Sequence, residues 1–122
     1  MIVFDTNIII YYIQEIPNVV NWVDKAQMRG EELAVSAMTL VELFSYPNIT
    51  HDEIFAIERW CNIVFIVDVD VVVARQASLI RRNYNLTAVD SVIAASAMIL
   101  SADLITNDVI FKRVPNINVI VP

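Results

Sequence analysis

The sequence predicts an α/β fold in which a central parallel sheet carries helices on both faces. Five short apolar runs alternate with helical patterns along the chain, and each run is continuously apolar, as in strands covered on both sides. Strands that alternate with helices form parallel sheets through right-handed crossovers. A chain of 122 residues suits one domain with its own core. The predicted strands are Ile2–Phe4, Leu33–Ser36, Ile63–Val67, Leu104–Thr106 and Ile117–Val121.

Helix signals separate these strands in order. The first predicted helix covers Asn18–Met28, with Asn18 as its cap and Gly30 at its C-terminal end. Ser36 precedes a second helix over Ala37–Tyr46, which Pro47 helps to end. These signals place a helical crossover on each side of the second strand.

The second half of the chain continues the alternation. Thr50–Glu53 is a capping box that opens a helix ending near Cys61. Asp70 precedes a further helix that ends near Asn83. The last helix, Ala88–Leu100, is apolar nearly all round and is therefore predicted to be buried.

Composition excludes several classes of site. The single glycine cannot form a dinucleotide-binding GxGxxG motif or a P-loop, and one His with one Cys cannot make an ordinary zinc site. His51 and Cys61 could form a nucleophile–base pair, but their contexts favour surface or core roles. The lone Cys61 allows no intrachain disulfide, so we expect a cytoplasmic protein. We expect no secretory signal, because no basic residue precedes the first apolar run, and no membrane span, because the longest uncharged stretch is only Ser91–Ala102.

Charge and hydropathy add two expectations. A net charge of −6 argues against a passive nucleic-acid binder, which would show a basic stripe. It leaves a nuclease open, because divalent cations at a carboxylate cluster reverse the local sign. The apolar fraction of 57% indicates a sheet buried on both faces or a sizeable subunit interface.

Four of the 14 acidic residues have apolar neighbours. Asp5 follows the first strand, Asp108 closes the LITND stretch, and Asp90 lies in the first turn of the apolar helix. Each of these three also has a structural explanation, as a helix cap, as the cap of a turn around Val109–Phe111, or as a capping-box position. Glu42 lies within its helix and cannot be a cap.

Taken together, the four acids predict a metal site. Ligands bind outside the carboxyl ends of the strands in open parallel sheets. If the first and fourth strands are neighbours, all four side chains converge on one crevice there. Several ionised acids repel each other unless a cation relieves them. Oxygen ligands favour Mg²⁺ or Mn²⁺, and a metal with its bound water suits phosphodiester hydrolysis.

Four stretches contain these acids in order along the chain: Val3–Asn7, Val41–Leu43, Ala88–Ala95 and Leu104–Asp108, the last followed by Phe111. In sequence and in order they resemble the motifs of the PIN domain, most closely those of the small VapC-type toxins. The resemblance covers residues 3 to 111 and implies a single PIN domain over residues 1–122 with a three-layer fold and strand order 3-2-1-4-5. It also implies a Mg²⁺- or Mn²⁺-dependent endoribonuclease with one or two ions. The implied catalytic and metal-binding residues are Asp5, Glu42, Asp90 and Asp108, with Thr6, Asn7 and Thr106 in supporting roles.

The resemblance also implies partners. We expect an RNA substrate, a small antitoxin of a VapBC-type pair, a homodimer, no membrane, and DNA contact only through the antitoxin. The candidate RNA contacts are the grouped basic residues Arg75, Arg81, Arg82, Lys112 and Arg113.

Three alternatives stay open at this point. A PIN-like module could bind a partner without cutting RNA. A phosphatase of the haloacid-dehalogenase type would use Asp5 as nucleophile, but it requires a second Asp where Asn7 stands. A receiver-type phosphoacceptor would place its acceptor after the third strand, where Asp68 and Asp70 lie, but no acidic pair accompanies Asp5.

Overall fold

A five-stranded parallel sheet forms the middle layer of the structure, a computed structural model that describes residues 1–122. The strand order is β3-β2-β1-β4-β5, which confirms the predicted arrangement. β1 therefore lies between β2 and β4, with Val3 opposite Ala34 and Phe4 opposite Ile105. The strands are β1 (Ile2–Phe4), β2 (Leu33–Ser36), β3 (Phe65–Val67), β4 (Asp103–Ile105) and β5 (Val119–Ile120).

Six α-helices and one 3₁₀ turn connect the strands. The predicted capping box at Thr50 is confirmed, and the side chains of Ser36, Asp70 and Thr87 also each accept a hydrogen bond from a first-turn N–H group. None of the helices combines the length and apolarity that crossing a bilayer would demand. The helices are α1 (Thr6–Ile13), α2 (Pro17–Met28), α3 (Ala37–Phe44), α4 (His51–Cys61), α5 (Val71–Tyr84) and α6 (Ala88–Ile99), and the 3₁₀ turn is Val109–Arg113.

Two predictions about the early helices were wrong. α1 was not predicted as a helix, although Asp5 was considered as a cap for one. Asn18 is not a cap, because α2 already begins at Pro17 and its N-cap, Ile16, makes no side-chain bond. Proline suits the first helical position because its missing N–H is not needed there.

Several predicted boundaries also differ by one or two residues. α3 ends at Phe44 rather than Tyr46. The third strand begins at Phe65 rather than Ile63, because the Ile63 N–H group bonds to the Trp60 carbonyl in a turn after α4. β4 starts one residue earlier than predicted, and β5 is shorter.

Two hydrophobic clusters cover the two faces of the sheet. Val3 points to the cluster formed with α5 and α6, whereas Phe4 points to the cluster formed with α1, α2, α3 and α4. This alternation follows from the period of a strand. α6 is buried from Ser91 to Ala97, as predicted. At one edge of the sheet, Phe65 of β3 is 55% exposed.

Candidate active site

Asp5 is the residue that directly follows the central strand. Its backbone N–H donates to the carbonyl of Ile105, so the pairing of β1 with β4 extends to this position (3.1 Å). The carboxylate is buried, with 5% of the residue exposed. Oδ1 accepts from the Thr6 N–H (2.8 Å), and Oδ2 accepts from the Thr106 hydroxyl (2.7 Å). Asp5 thus caps α1, which confirms the interpretation as a helix cap, and its carboxylate lies at the carboxyl edge of the sheet, where the metal site is predicted.

Burial makes the Asp5 carboxylate a poor place for a negative charge. Its pKa is raised from 3.8 to about 6, chiefly because burial penalises the ionised form. The hydrogen bonds from Thr106 and Thr6 lower the pKa, whereas the charges of Asp90 and Glu42 raise it. The two neighbouring acids are therefore close enough to oppose ionisation of Asp5.

Glu42 reaches the same edge from α3. The Thr6 hydroxyl donates to Glu42 Oε1 (2.5 Å), so one residue at the start of α1 contacts both Asp5 and Glu42. Thr39 lies one turn earlier on α3, is fully buried, and has its hydroxyl 3.5 Å from that of Thr6. The Thr6 hydroxyl thus joins α1 to α3 beside the acids.

Asp90 is half-buried in the first turn of α6. Its N–H donates to the Thr87 hydroxyl (3.1 Å). Its pKa is raised by burial first, and by the charges of Asp108 and Glu42, while the Thr87 side chain works in the opposite direction. The negative charges of Glu42 on α3 and of Asp108 beyond β4 therefore both act on Asp90.

Asp108 is exposed and lies three residues beyond β4. Its backbone N–H donates to the Thr106 hydroxyl (2.9 Å), the same hydroxyl that donates to Asp5. Its carboxylate accepts from the Ile110 N–H (3.0 Å) and so caps the 3₁₀ turn, as one interpretation predicted. Thr106 thus connects two of the four candidate acids through one oxygen atom.

The carboxylates form a loose group rather than a closed cage. No three His, Cys, Asp or Glu side chains lie close enough to hold one ion among themselves in this arrangement. Asp5 and Glu42 instead bond to the N–H and hydroxyl groups described above. The donor set still fits Mg²⁺, which usually takes one or two carboxylates and completes its shell with waters and phosphate oxygens. Asp5 is the donor with most to gain from a cation, because burial penalises its ionised form.

The other polar and charged residues considered lie outside this group of acids. Asn7 is exposed, and its side chain makes none of the hydrogen bonds that hold the acids. Asp103 begins β4 at the opposite end of the sheet and accepts from Asn118 Nδ2 (3.1 Å). The ion pair of Arg29 with Glu31 is the only one in the molecule. The five candidate RNA contacts, Arg75, Arg81, Arg82, Lys112 and Arg113, are all exposed.

The structure also bears on the alternative chemistries. His51 and Cys61 occupy the two ends of the 11-residue α4, about 15 Å apart at about 1.5 Å per residue, so they do not form a nucleophile–base pair. The Asp70 carboxylate accepts from the Val73 N–H (2.9 Å) as a helix cap, and β2 separates the preceding strand, β3, from β1 and Asp5, which argues against a receiver-type acceptor there. Sequence reasoning missed Thr39, although its spacing of three residues from Glu42 places both on one face of α3.

Comparisons with known proteins agree with this architecture. The family model described as PIN domain matches residues 2–117. No curated protein sequence matches the chain significantly. Among solved structures, VapBC2 of Rickettsia felis, bound to a DNA fragment from its promoter, has a chain with TM-score 0.84 and 23% identity; the match covers 99% of this chain and 98% of that one.

Two further solved structures give similar values. A toxin–antitoxin complex of Klebsiella pneumoniae matches with TM-score 0.80 and 23% identity, over 98% of this chain and 96% of that one. VapBC-1 of nontypeable Haemophilus influenzae matches with TM-score 0.79 and 25% identity, over 98% and 97% of the two chains.

Proposed function

Because the chain belongs to the PIN-domain family, whose members are generally nucleases, we propose that it is a metal-dependent endoribonuclease. The observation that carries this proposal is the setting of Asp5. A carboxylate is buried at the carboxyl end of the central strand, and two further acids raise its pKa. Such an arrangement is unfavourable for the isolated fold, and perturbed acids of this kind cluster at functional sites.

The proposed roles of the residues follow from their contacts. Asp5, Asp90, Asp108 and Glu42 would hold one or two Mg²⁺ or Mn²⁺ ions. Such an ion, when bound, neutralises phosphate charge and lowers the pKa of water for attack on phosphorus. The Thr106 hydroxyl and the Thr6 N–H orient the two oxygens of Asp5, and the Thr6 hydroxyl orients Glu42. Asn7 is proposed as a polar contact at the exposed rim.

We also propose that the chain is the toxin of a VapBC-type pair. The support is the match over nearly the whole chain to structures described as VapBC or toxin–antitoxin complexes. A small antitoxin would then block the acidic crevice, and any DNA contact would be made through it. The exposed apolar residues support a homodimer as well as an antitoxin surface. The exposed arginines and lysine would contact RNA, and a cytoplasmic location fits this role.

The test is RNA cleavage by the purified chain, free of antitoxin, with Mg²⁺ or Mn²⁺ and with excess chelator. Asp5→Asn and Asp90→Asn should each reduce cleavage by about 10²-fold or more, because each removes a proposed ion ligand. Asp103→Asn is the matched control, since this acid lies at the other end of β4. Cleavage that persists in both site variants would overturn the assignment.

Calorimetric titration with Mn²⁺ separates the remaining alternatives. Binding that is lost in Asp5→Asn, even without cleavage of total RNA, supports a nuclease with a narrow target. Absence of binding and of cleavage together would favour the PIN-like module that acts only through a partner.

A further inference from the structure

A hollow of about 230 Å³ opens along the seam between α5 and α6. Small side chains leave this space open, because Ala74, Ala77 and Ser78 of α5 face Ala88 and Ser91 of α6. Val69, which follows β3, and Ala88, which begins α6, also line the hollow, so it reaches the carboxyl edge of the sheet, where the four acids lie.

Ser91 is the feature of this hollow that packing does not explain. Its residue is 1% exposed, and its hydroxyl has no hydrogen-bond partner. Ser96 lies one to two turns later on the same helix and donates to the Val92 carbonyl (2.8 Å), which is the usual solution for a buried helical serine. A buried hydroxyl without a partner costs stability, so an alanine would serve the isolated fold better. The missing partner is the first indication that the hollow receives a ligand.

Arg81 is the second indication. It lines the same hollow, is exposed, and forms no ion pair with any acid. It also lines an adjoining surface depression of about 620 Å³ together with Arg82, Asn85 and Thr87. Thr87 is the N-cap of α6, whose first N–H groups have no partners within the helix. The depression thus offers two cations and a helix N-terminus to an anion.

We propose that this seam, defined by Ser78, Arg81, Arg82 and Ser91, binds one nucleotide of the RNA next to the cleaved bond. The inference rests on the proposed nuclease function. The nucleotide phosphate contacts Arg81 and Arg82, and its sugar or base occupies the hollow with a hydrogen bond to the Ser91 hydroxyl. Proteins bind single-stranded RNA by stacking unstacked bases on arginine guanidinium planes or aromatic rings, by hydrogen bonds to the base edges and by positive charge along the backbone. The seam offers the guanidinium groups and the hydroxyl for two of these contacts. Ser91 is then a specificity-determining residue for the cleavage site.

Binding of the four nucleoside 5′-monophosphates, followed by amide NMR in EDTA, tests the seam without any cleavage. We expect shifts centred on Ser78, Arg81 and Ser91, with one nucleotide preferred. Ser91→Leu fills the hollow and should abolish these shifts. Ser91→Ala should weaken binding about fivefold, as expected for one hydrogen bond, and should raise the melting temperature. A serine with a purely structural role would lower the melting temperature when removed.

The contribution of the arginine charge to RNA binding is tested with separate variants. Arg81→Gln should weaken binding of a labelled RNA oligonucleotide about fivefold to tenfold and reduce the salt slope by about one. Arg59→Gln is the matched control, because Arg59 lies on α4, which covers the other face of the sheet, and stacks on Phe55. Wild-type behaviour of Arg81→Gln in both measurements would overturn the proposal.

The outcomes separate the seam from the catalytic assignment. Cleavage that keeps its site preference in Ser91→Leu overturns the seam and leaves the nuclease intact. Nucleotide binding at the seam, together with no metal-dependent cleavage and no Mn²⁺ binding, supports the seam proposal and overturns the nuclease assignment. Shifts elsewhere, no shifts at millimolar nucleotide, or a change in dimer mass as the only effect of Ser91→Leu would all overturn the seam.

Discussion

Asp5 shows how one residue can serve the site at the expense of the fold. Its carboxylate has a raised pKa in the folded state, so between about pH 4 and 6 the folded protein binds more protons than the unfolded chain. Folding stability attributable to Asp5 therefore falls as the pH rises through this window. A shift from 3.8 to about 6 corresponds to about 3 kcal/mol at about 1.36 kcal/mol per pKa unit.

Asp5→Asn should remove this penalty. We expect the variant to gain about 2–3 kcal/mol relative to the wild type between pH 4 and pH 7, as measured by urea unfolding. The amide can still accept from the Thr6 N–H and can donate to the Thr106 oxygen. Mn²⁺ should stabilise the wild type at pH 7 and leave the variant unchanged, because a ligand of the folded state adds to stability. Equal pH slopes for the two proteins would contradict the buried-charge account.

The Thr106 hydroxyl makes two hydrogen bonds at the site. It donates to Asp5 and accepts from the Asp108 N–H, so Thr106→Val leaves both groups without that partner. Because the hydrogen bond from Thr106 lowers the pKa of Asp5, its loss should raise that pKa further. We expect a weakening of Mn²⁺ binding by about 10-fold to 100-fold, the usual size for a group that orients a ligand.

Thr106→Ser is the control for this prediction. It keeps the hydroxyl and removes only a methyl group, so Mn²⁺ binding should stay near the wild-type value. If calorimetry gives the same affinity for the valine and serine variants, the hydroxyl is not an orienting group.

At the scale of elements, the starts of helices follow from local hydrogen bonding. Ser36, Thr50, Asp70 and Thr87 are caps because a short polar side chain can reach the N–H groups two or three residues on. The same reasoning failed at Asn18, where Pro17 had already taken the first helical position. Pro17 and Asn18 are both helix-start residues, and residue type alone does not show which of the two begins the helix.

Two features depend on tertiary contacts and could not be predicted from the sequence: the helix α1 and the hydroxyl groups near the site. α1 was missed because Ile8, Ile9 and Ile10 continue the apolar pattern of the preceding strand, and only their packing shows the helix. The positions of the four acids were predictable as strand ends and helix turns. The hydroxyls of Thr39 and Ser91 were not, because their importance depends on which helix they face.

The capping box of α4 gives a prediction at this scale. The Thr50 hydroxyl accepts from the Glu53 N–H (3.1 Å), and Glu53 accepts from the Thr50 N–H (3.2 Å). Thr50→Ala should therefore lower the free energy of unfolding by about 1 kcal/mol. RNA cleavage at a temperature well below unfolding should not change, because the box lies outside the acidic group. Thr50→Ser should restore the stability, and a loss of cleavage in folded Thr50→Ala would contradict this separation.

At the scale of the molecule, charge and apolar surface are unevenly distributed. The net charge is −6, yet α5 carries Arg75, Arg81 and Arg82, three of the eight basic residues. The same helix begins with Val71 and Val72, which are 68% and 63% exposed. Adjacent exposed valines are typical of a surface that another protein covers.

We expect the chain to form a homodimer that buries this valine pair. Val72→Glu should yield a monomer in sedimentation velocity, because it places a charge in an apolar interface. Met28→Glu is the control, since Met28 is 87% exposed and lies on α2. A wild-type mass for Val72→Glu would show that the dimer, if present, uses another face.

The open edge of the sheet has a practical consequence. β3 pairs with β2 on one side only, and Phe65 stands 55% exposed on it. The unpaired edge of such a strand, with an aromatic side chain on it, is a template for extended segments of other chains. The purified protein should therefore lose solubility through edge pairing when it is concentrated for NMR. A lysine at position 65 should extend the usable concentration range while leaving the acids at the far ends of the strands untouched.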